Sequence, residues 1–346
     1  MSTVPRLSVG LPVYNGEKYI AESIESLLGQ TYKNFELIIS DNASTDNTAD
    51  ICRRYADQDS RIRYVRQPRN LGLSSNHNFV AEKSRGEFFK WAAADDLYGR
   101  DLLQSCVDAL DQHPDVVLAH SWTAAIDSAG KVTQAYKYPL ATDSSSAPER
   151  FRSFMFGSSG LFDDPGSADH RLIRLDNEGI LRACDEYGVI RTKVLRQIAP
   201  HGSYHHQDRI VVCELLLHGP FHETPDWLYF RRDHDDRVYR SSGPNKSSLR
   251  ARCEVLDPRR ADRLRHPTAR LVAEYFWGYV RAIRRAPLSS ADRRECYRHL
   301  AQWMADRAAS SVIPRHLEPL DQQLSAVHQN HAASVRPEIS GREGRP

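Results

Sequence analysis

Asp95 and Asp96 sit side by side in FFKWAAADDLYG (88–99), where an apolar run breaks into two adjacent carboxylates. Neighbouring like charges repel unless something positive offsets them. The pair therefore marks either a solvated turn or a place where a cation is held. Mg2+ and Mn2+ prefer oxygen ligands and commonly join one or two carboxylates to substrate phosphates. A third carboxylate, Asp208, lies in YHHQDRIVV ahead of an apolar run. It can cap a helix over Arg209 to Leu217 or take a proton as a general base, with His205 and His206 in reserve. RRDHDDRVYR (231–240) adds His234, a side chain able to ligate metal, and Arg237 and Arg240, able to offset anionic charge, while Asp235 and Asp236 read as solvated.

Such residues need elements to hold them. Leu7 to Val13 reads as a buried strand, and Ile20, Ile24, Leu27 and Leu28 then share one helical face. The unit recurs as strand Phe35 to Ser40 with helix Asp46 to Tyr55, and as strand Ile62 to Val65 with helix Asn76 to Lys83. Strand Glu87 to Ala92 and helix Asp101 to Leu110 follow. Alternation of this kind predicts a parallel sheet, whose ligands lie at the C-terminal strand ends. Three stretches fall at those ends: LPVYNGEKYI (11–20), SDNASTDNT (40–48) and AADD (93–96). After Val116 to Trp122 a turn at 127–130 joins paired strands. Thr142 to Pro148 and Ser158 to Asp169 read as loops, Trp227 to Arg231 as a strand.

The 346 residues, 40% hydrophobic, suffice for a large core with an appendage. A net charge of +2 gives no field that argues for nucleic acid. The six cysteines contain no CxxC pair, which fits a reduced compartment. MSTVPRLSVG carries no charged leader before a long apolar run, so a cytoplasmic protein is expected, with peripheral attachment at the inner membrane face left open. The Arg-rich helical stretch from Lys246 to about Pro314 includes Tyr275, Phe276, Trp277 and Tyr279, which suit either packing or lipid headgroups.

Taken together, the three strand-end stretches resemble the family 2 glycosyltransferases, inverting enzymes with the GT-A fold, whose opening signature is P-x-Y-N-x-x-x-x-I. The similarity covers roughly residues 5 to 240. It implies an α/β fold with a mixed, largely parallel sheet flanked by helices. Residues 1–245 would form that domain (1–122 for the nucleotide sugar, 123–245 for the acceptor), 246–320 a helical extension, and 321–346 a tail. By the same resemblance Pro12, Val13 and Tyr14 line the nucleotide, Asp41 recognises its base, and Arg69 and Asn70 lie close by. Glu17 is either a base or ribose contact or a first-turn helix carboxylate. Ala94 fills the first position of the D-x-D-like motif, leaving Asp96 as the metal ligand, with His234, and Asp95 as a ribose contact. Asp208 is the implied base, and Gln207 stands where the family carries a glutamate. The expected reaction moves a sugar from a nucleotide-diphosphate donor to a hydroxyl acceptor with Mn2+ or Mg2+. The rivals are a nucleotidyltransferase, which would release pyrophosphate, and a catalytically silent nucleotide-sugar-binding or scaffold protein.

Overall fold

LSVGLPV and FELIISD show little polar alternation because both of their faces are covered, as in the interior of a parallel sheet. They form β1 (Leu7–Val13) and β2 (Phe35–Asp41), buried at every position. In the computed structural model, which describes residues 4–135, 141–156, 186–203, 207–234 and 267–312, these strands are joined by β3 (Ile62–Arg66), β4 (Phe88–Trp91), β5 (Leu97–Tyr98), β6 (Leu118–Ile126), β7 (Val132–Ala135), β8 (Val189–Arg191) and β9 (Phe221–Arg232). The sheet order is β3-β2-β1-β4-β8-β6-β9-β5, with β7 also paired to β6. The pairs β3–β2, β2–β1, β1–β4 and β6–β9 are parallel. Antiparallel β8 bridges β4 and β6, and β5 runs antiparallel to β9.

Helices α1 (Ile20–Leu28), α2 (Thr48–Gln58), α3 (Leu73–Glu82) and α4 (Leu102–Gln112) connect the first strands. Ile20, Ile24 and Leu27 of α1 and Leu103, Cys106 and Leu110 of α4 bury their apolar faces in the main core. Helix α5 (Ala147–Phe156), the single turn α6 (Thr192–Leu195) and α7 (Gln207–His218) belong to the second half. They are followed by α8 (Pro267–Arg285) and α9 (Ser290–Val312).

Several expected boundaries move for local reasons. Helix α3 starts at Leu73, because Gly72 at φ 86° turns the chain into it. Helix α2 starts at Thr48, whose amide and hydroxyl both donate to Asp46. The expected loop 142–148 is in part structural: Thr142 is buried, its carbonyl accepts from Phe221 at 2.8 Å, and α5 begins at Ala147. Strand β9 begins six residues before Trp227, its pairing with β6 shifting register on both sides of the Trp122–Trp227 pair. The expected loop 158–169 lies outside the described residues.

The chain divides into two compact units, 1–303 and 304–346. Helix α8 thus falls in the same unit as the sheet, across the boundary expected at 245. In the second unit the described residues are the end of α9. Among the described residues, no helix is long and apolar enough to cross a membrane.

Candidate active site

Three loops leave the C-terminal ends of β1, β2 and β3, and hydrogen bonds among their side chains and amides tie the loops together. Asn15 adopts φ 51°. Its amide donates to Ser44 Oγ at 2.9 Å, and its Oδ1 accepts from the Thr45 amide at 2.8 Å. Gly16 donates to Thr48 Oγ1 at 2.8 Å; a Cβ there would stand 2.6 Å from Val13 Cγ2. Glu17 Oε2 accepts from the Asn47 amide and side chain at 2.9 and 2.8 Å, so it serves the start of α2. Asp46 accepts the Glu17 amide in return. Burial alone would raise the Asp46 pKa, but hydrogen bonds from Thr48 and backbone amides outweigh it and hold the carboxyl below its ordinary range. Asn42 and Asn70 join the second loop to the third: Asn42 Nδ2 donates to Asn70 Oδ1 at 2.9 Å, and Asn42 Oδ1 accepts from the Leu71 amide.

Asp41, expected to meet a base, is fully enclosed. Its oxygens accept from the Ser44 amide and the Tyr64 hydroxyl, both at 2.8 Å, and Arg66 Nε lies 3.4 Å away. Its carboxylate organises the turn behind the rim. Pro12 and Val13 are buried at the end of β1, while Tyr14, Arg66 and Arg69 are exposed. Arg66 was not singled out from sequence; its position at the end of β3, in register with Asp41, is the signal that would have found it.

The adjacent carboxylates take opposite directions. Asp96 is 2% exposed; one oxygen accepts from the Tyr229 hydroxyl and the other from the Arg232 amide at 2.8 Å. The Asp95 side chain is 32% exposed, and its Oδ2 lies 3.0 Å from His234 Nε2. Asp95 and His234, rather than Asp96 and His234, are thus brought face to face: Asp96 is drawn inward because β9 offers it two buried donors. Arg232, fully buried, fixes the corner. It donates to the Asp95 carbonyl at 2.9 Å, to the Ser128 carbonyl at 3.0 Å and to Glu22 at 2.7 Å, and its guanidinium lies 4.5 Å from the centre of the Tyr19 ring. Beneath Asp96, Lys90 is buried against the rings of Tyr98 and Tyr229 and donates to the Tyr187 carbonyl. Burial pulls its ammonium down to about 8, with the Asp96 charge acting the other way.

Among the described residues, no group of three or more His, Cys, Asp or Glu converges to hold a metal. The donor set at Asp95 and His234 is one carboxylate and one imidazole. Beside it the enclosed His234 Nδ1 and Tyr19 hydroxyl have no hydrogen-bond partner among the described residues, with the two rings 4.7 Å apart. This fits a divalent cation that takes its remaining ligands from phosphate oxygens and water.

Asp208 lies within the first turn of α7 rather than ahead of it, and its Oδ1 accepts the Arg209 amide at 2.8 Å. Burial, reinforced by the nearby Glu186 charge, pushes its pKa up to about 6 against the pull of the Arg209 amide and His201. Gln207 Oε1 accepts from Ser74 Oγ at 2.7 Å. Glu186 and His201, which sequence reasoning missed, form a buried hydrogen-bonded pair. Burial raises the Tyr187 phenol well above its ordinary value, and the charges of Glu186, Asp96, Asp95 and Asp208 all add to that. Arg237 and Arg240, with His205 and His206, lie outside the described residues.

A glycosyltransferase of Haemophilus influenzae, itself called uncharacterized, is 33% identical over 127 residues, 37% of this chain and 50% of the relative. The putative glycosyltransferase EpsE of Bacillus subtilis is 39% identical over 114 residues, 33% of this chain and 41% of EpsE. These matches therefore span half or less of the relatives' own length. The crystal structure of S. aureus TarS 1-349 in complex with UDP-GlcNAc shares the fold, of GT-A type, at a TM-score of 0.55 and 18% identity, over 88% of this chain and 73% of the TarS chain. The model for glycosyl transferase family 2 matches residues 8–197, more than half of the chain, and the protein belongs to that family of transferases.

Proposed function

We propose that this glycosyltransferase moves a sugar from a nucleotide-diphosphate donor to a hydroxyl acceptor in a single inverting displacement, with Asp208 as general base and a divalent cation at Asp95 and His234. The observation that carries the reading is a partly exposed carboxylate, Asp95, 3.0 Å from His234 Nε2 at a C-terminal strand end, together with a second, buried carboxylate, Asp208, whose proton affinity is raised towards neutrality. Catalytic bases work best with a pKa near the operating pH. The nucleotide rests against the loop rim at Tyr14, Arg66 and Arg69, whose backbone the Asn15, Glu17, Asp41 and Asn70 ties hold in place. When bound, a divalent cation supplies positive charge for the diphosphate leaving group.

Asp208 accepts the proton of the acceptor hydroxyl as that oxygen bonds to the anomeric carbon. The bond from that carbon to the diphosphate oxygen breaks, and its electron pair leaves with the nucleoside diphosphate. The configuration inverts. Asp208→Asn keeps the size of the side chain and an acceptor for the Arg209 amide, so it should retain donor binding and lose transfer by at least about a hundredfold. UDP-GlcNAc, which TarS binds, is the first donor to screen by calorimetry with and without Mn2+. Transfer by Asp208→Asn at the wild-type rate, or a product of retained configuration, overturns the proposal. Release of pyrophosphate would instead identify a nucleotidyltransferase.

A further inference from the structure

Tyr19 directly precedes α1 as its N-cap, and the chain around it runs along the Asp95 corner. Ser23 Oγ donates to the Ala93 carbonyl at 2.9 Å, and Glu22 accepts from Arg232 at 2.7 Å. A Cβ at Gly16 would stand 3.8 Å from Ala94 Cβ. The Tyr19 ring meets both residues that hold Asp95. One is Arg232, whose guanidinium lies 4.5 Å from the ring centre and donates to the Asp95 carbonyl at 2.9 Å. The other is His234, whose ring is 4.7 Å away and whose Nε2 lies 3.0 Å from Asp95 Oδ2.

Tyr19 is 6% exposed, and its hydroxyl has no hydrogen-bond partner among the described residues. A buried hydroxyl left unpaired carries the full cost of its desolvation, and each such group in a folded chain calls for a partner from outside the chain. His234 Nδ1, on the residue in ring contact with Tyr19, is enclosed and unpaired among the described residues as well. Two such atoms on touching side chains mark a place that a bound molecule completes. Both charged groups set over the Tyr19 ring are cationic: Arg232, and Lys18, whose Nζ lies 5.1 Å from the ring centre. The cation read at Asp95 and His234 takes phosphate oxygens. An anionic oxygen is therefore the acceptor that suits this hydroxyl, and hydrogen bonds to ionised acceptors are the stronger kind.

We propose that Tyr19 is a donor-binding residue whose hydroxyl donates a hydrogen bond to a phosphate oxygen of the nucleoside diphosphate, beside the cation at Asp95 and His234. The inference rests on the reading of Asp95 and His234 as the metal pair. It adds to that pair a neutral hydrogen-bond donor, held by a ring that Arg232 and His234 confine.

Tyr19→Phe tests this, because it keeps the ring and its contacts and deletes only the hydroxyl. Calorimetry on the full chain with UDP and with GDP, each in the presence of Mn2+, reads affinity, and urea denaturation without nucleotide reads stability. Whichever nucleotide binds the wild-type chain should bind Tyr19→Phe about tenfold more weakly or worse. The denaturation midpoint of the nucleotide-free variant should stay at or above that of wild type, because the group removed had no partner to lose. Unchanged affinity overturns the proposal. So does a weaker affinity that comes with a lower midpoint, since the hydroxyl would then serve the fold through a bound water. Failure of the donor reading looks different: neither nucleotide binds the wild-type chain with Mn2+, or Asp95→Ala keeps the whole Mn2+ effect, and either result removes the role of Tyr19 along with the metal pair.

Discussion

Asp95 and Asp96 share a charge and differ in what surrounds them, and the difference separates their expected phenotypes. Asp96→Ala strands the Tyr229 hydroxyl and the Arg232 amide in the interior. It should cost about 3 kcal/mol of stability, read by chemical denaturation. Asp95→Ala, at a side chain one-third exposed, should cost about 1 kcal/mol or less while abolishing the Mn2+-dependent part of nucleoside-diphosphate affinity, read by calorimetry. Loss of the metal effect in a stably folded Asp96→Ala, with Asp95→Ala unaffected, would restore the order expected from sequence. Asp208 makes a prediction in pH. Its raised pKa means that transfer, followed as kcat/KM, should rise with pH through about 6 and level off above it. The stability sign is opposite: between the ordinary carboxyl value and about 6 the folded chain binds more protons than the unfolded one, so this group's contribution to stability falls as pH rises through that window and is constant beyond it. An acidic limb that survives in the residual activity of Asp208→Asn would assign it to another group.

The loops above β1, β2 and β3 act as one element because their side chains bond to one another. Glu17→Ala frees the Asn47 amide at the start of α2, a loss comparable to removing a helix cap, about 1 kcal/mol. It should also weaken nucleoside-diphosphate binding with or without Mn2+, because the rim loses its brace. Unchanged affinity would show that the brace is dispensable. The same elements explain what could be read beforehand. Strands β1 and β2 were legible because burial on both faces leaves continuous apolar runs. Strand β9 was half legible, since Pro225 and Asp226 interrupt its pattern where the register shifts, and β8, three residues long, carries almost no pattern. In the site, local chemistry put polar and charged residues at the strand ends. It did not reveal which carboxylate turns inward, because that is decided by Tyr229 and Arg232, more than 130 positions away. Glu186 and His201 belong to no spacing motif and meet only when the chain is folded.

At the scale of the molecule, α8 is tied to the body of the fold through α5 and α7. Tyr275, Tyr279, Ala282 and Ile283 of α8 are buried, with Tyr279 and Phe151 of α5 in edge contact 6.5 Å apart, so these positions form a packing face. Trp277 is exposed. Arg285, at the end of α8, donates to both oxygens of Glu214 at 2.8 and 3.0 Å, and Glu214 is fully buried in the helix that begins with Gln207 and Asp208. Removing one partner of such a pair leaves a buried charge uncompensated, which costs about 3–5 kcal/mol when both partners are buried. Arg285 is partly exposed, so water can reach its vacated position and Arg285→Ala should cost nearer about 2 kcal/mol. The Ala199 amide, 3.3 Å from Glu214, links this pair to the segment that carries His201. Loosening it should therefore disturb the acceptor side while leaving the strand-end loops intact. The expected signature of Arg285→Ala is a lower melting temperature and a reduced kcat with unchanged nucleoside-diphosphate affinity. Arg285→Lys, which keeps the charge but not the two-pronged geometry, should recover part of each. Loss of nucleotide affinity in step with kcat would mean that the helices support the whole sheet rather than the acceptor side through α7.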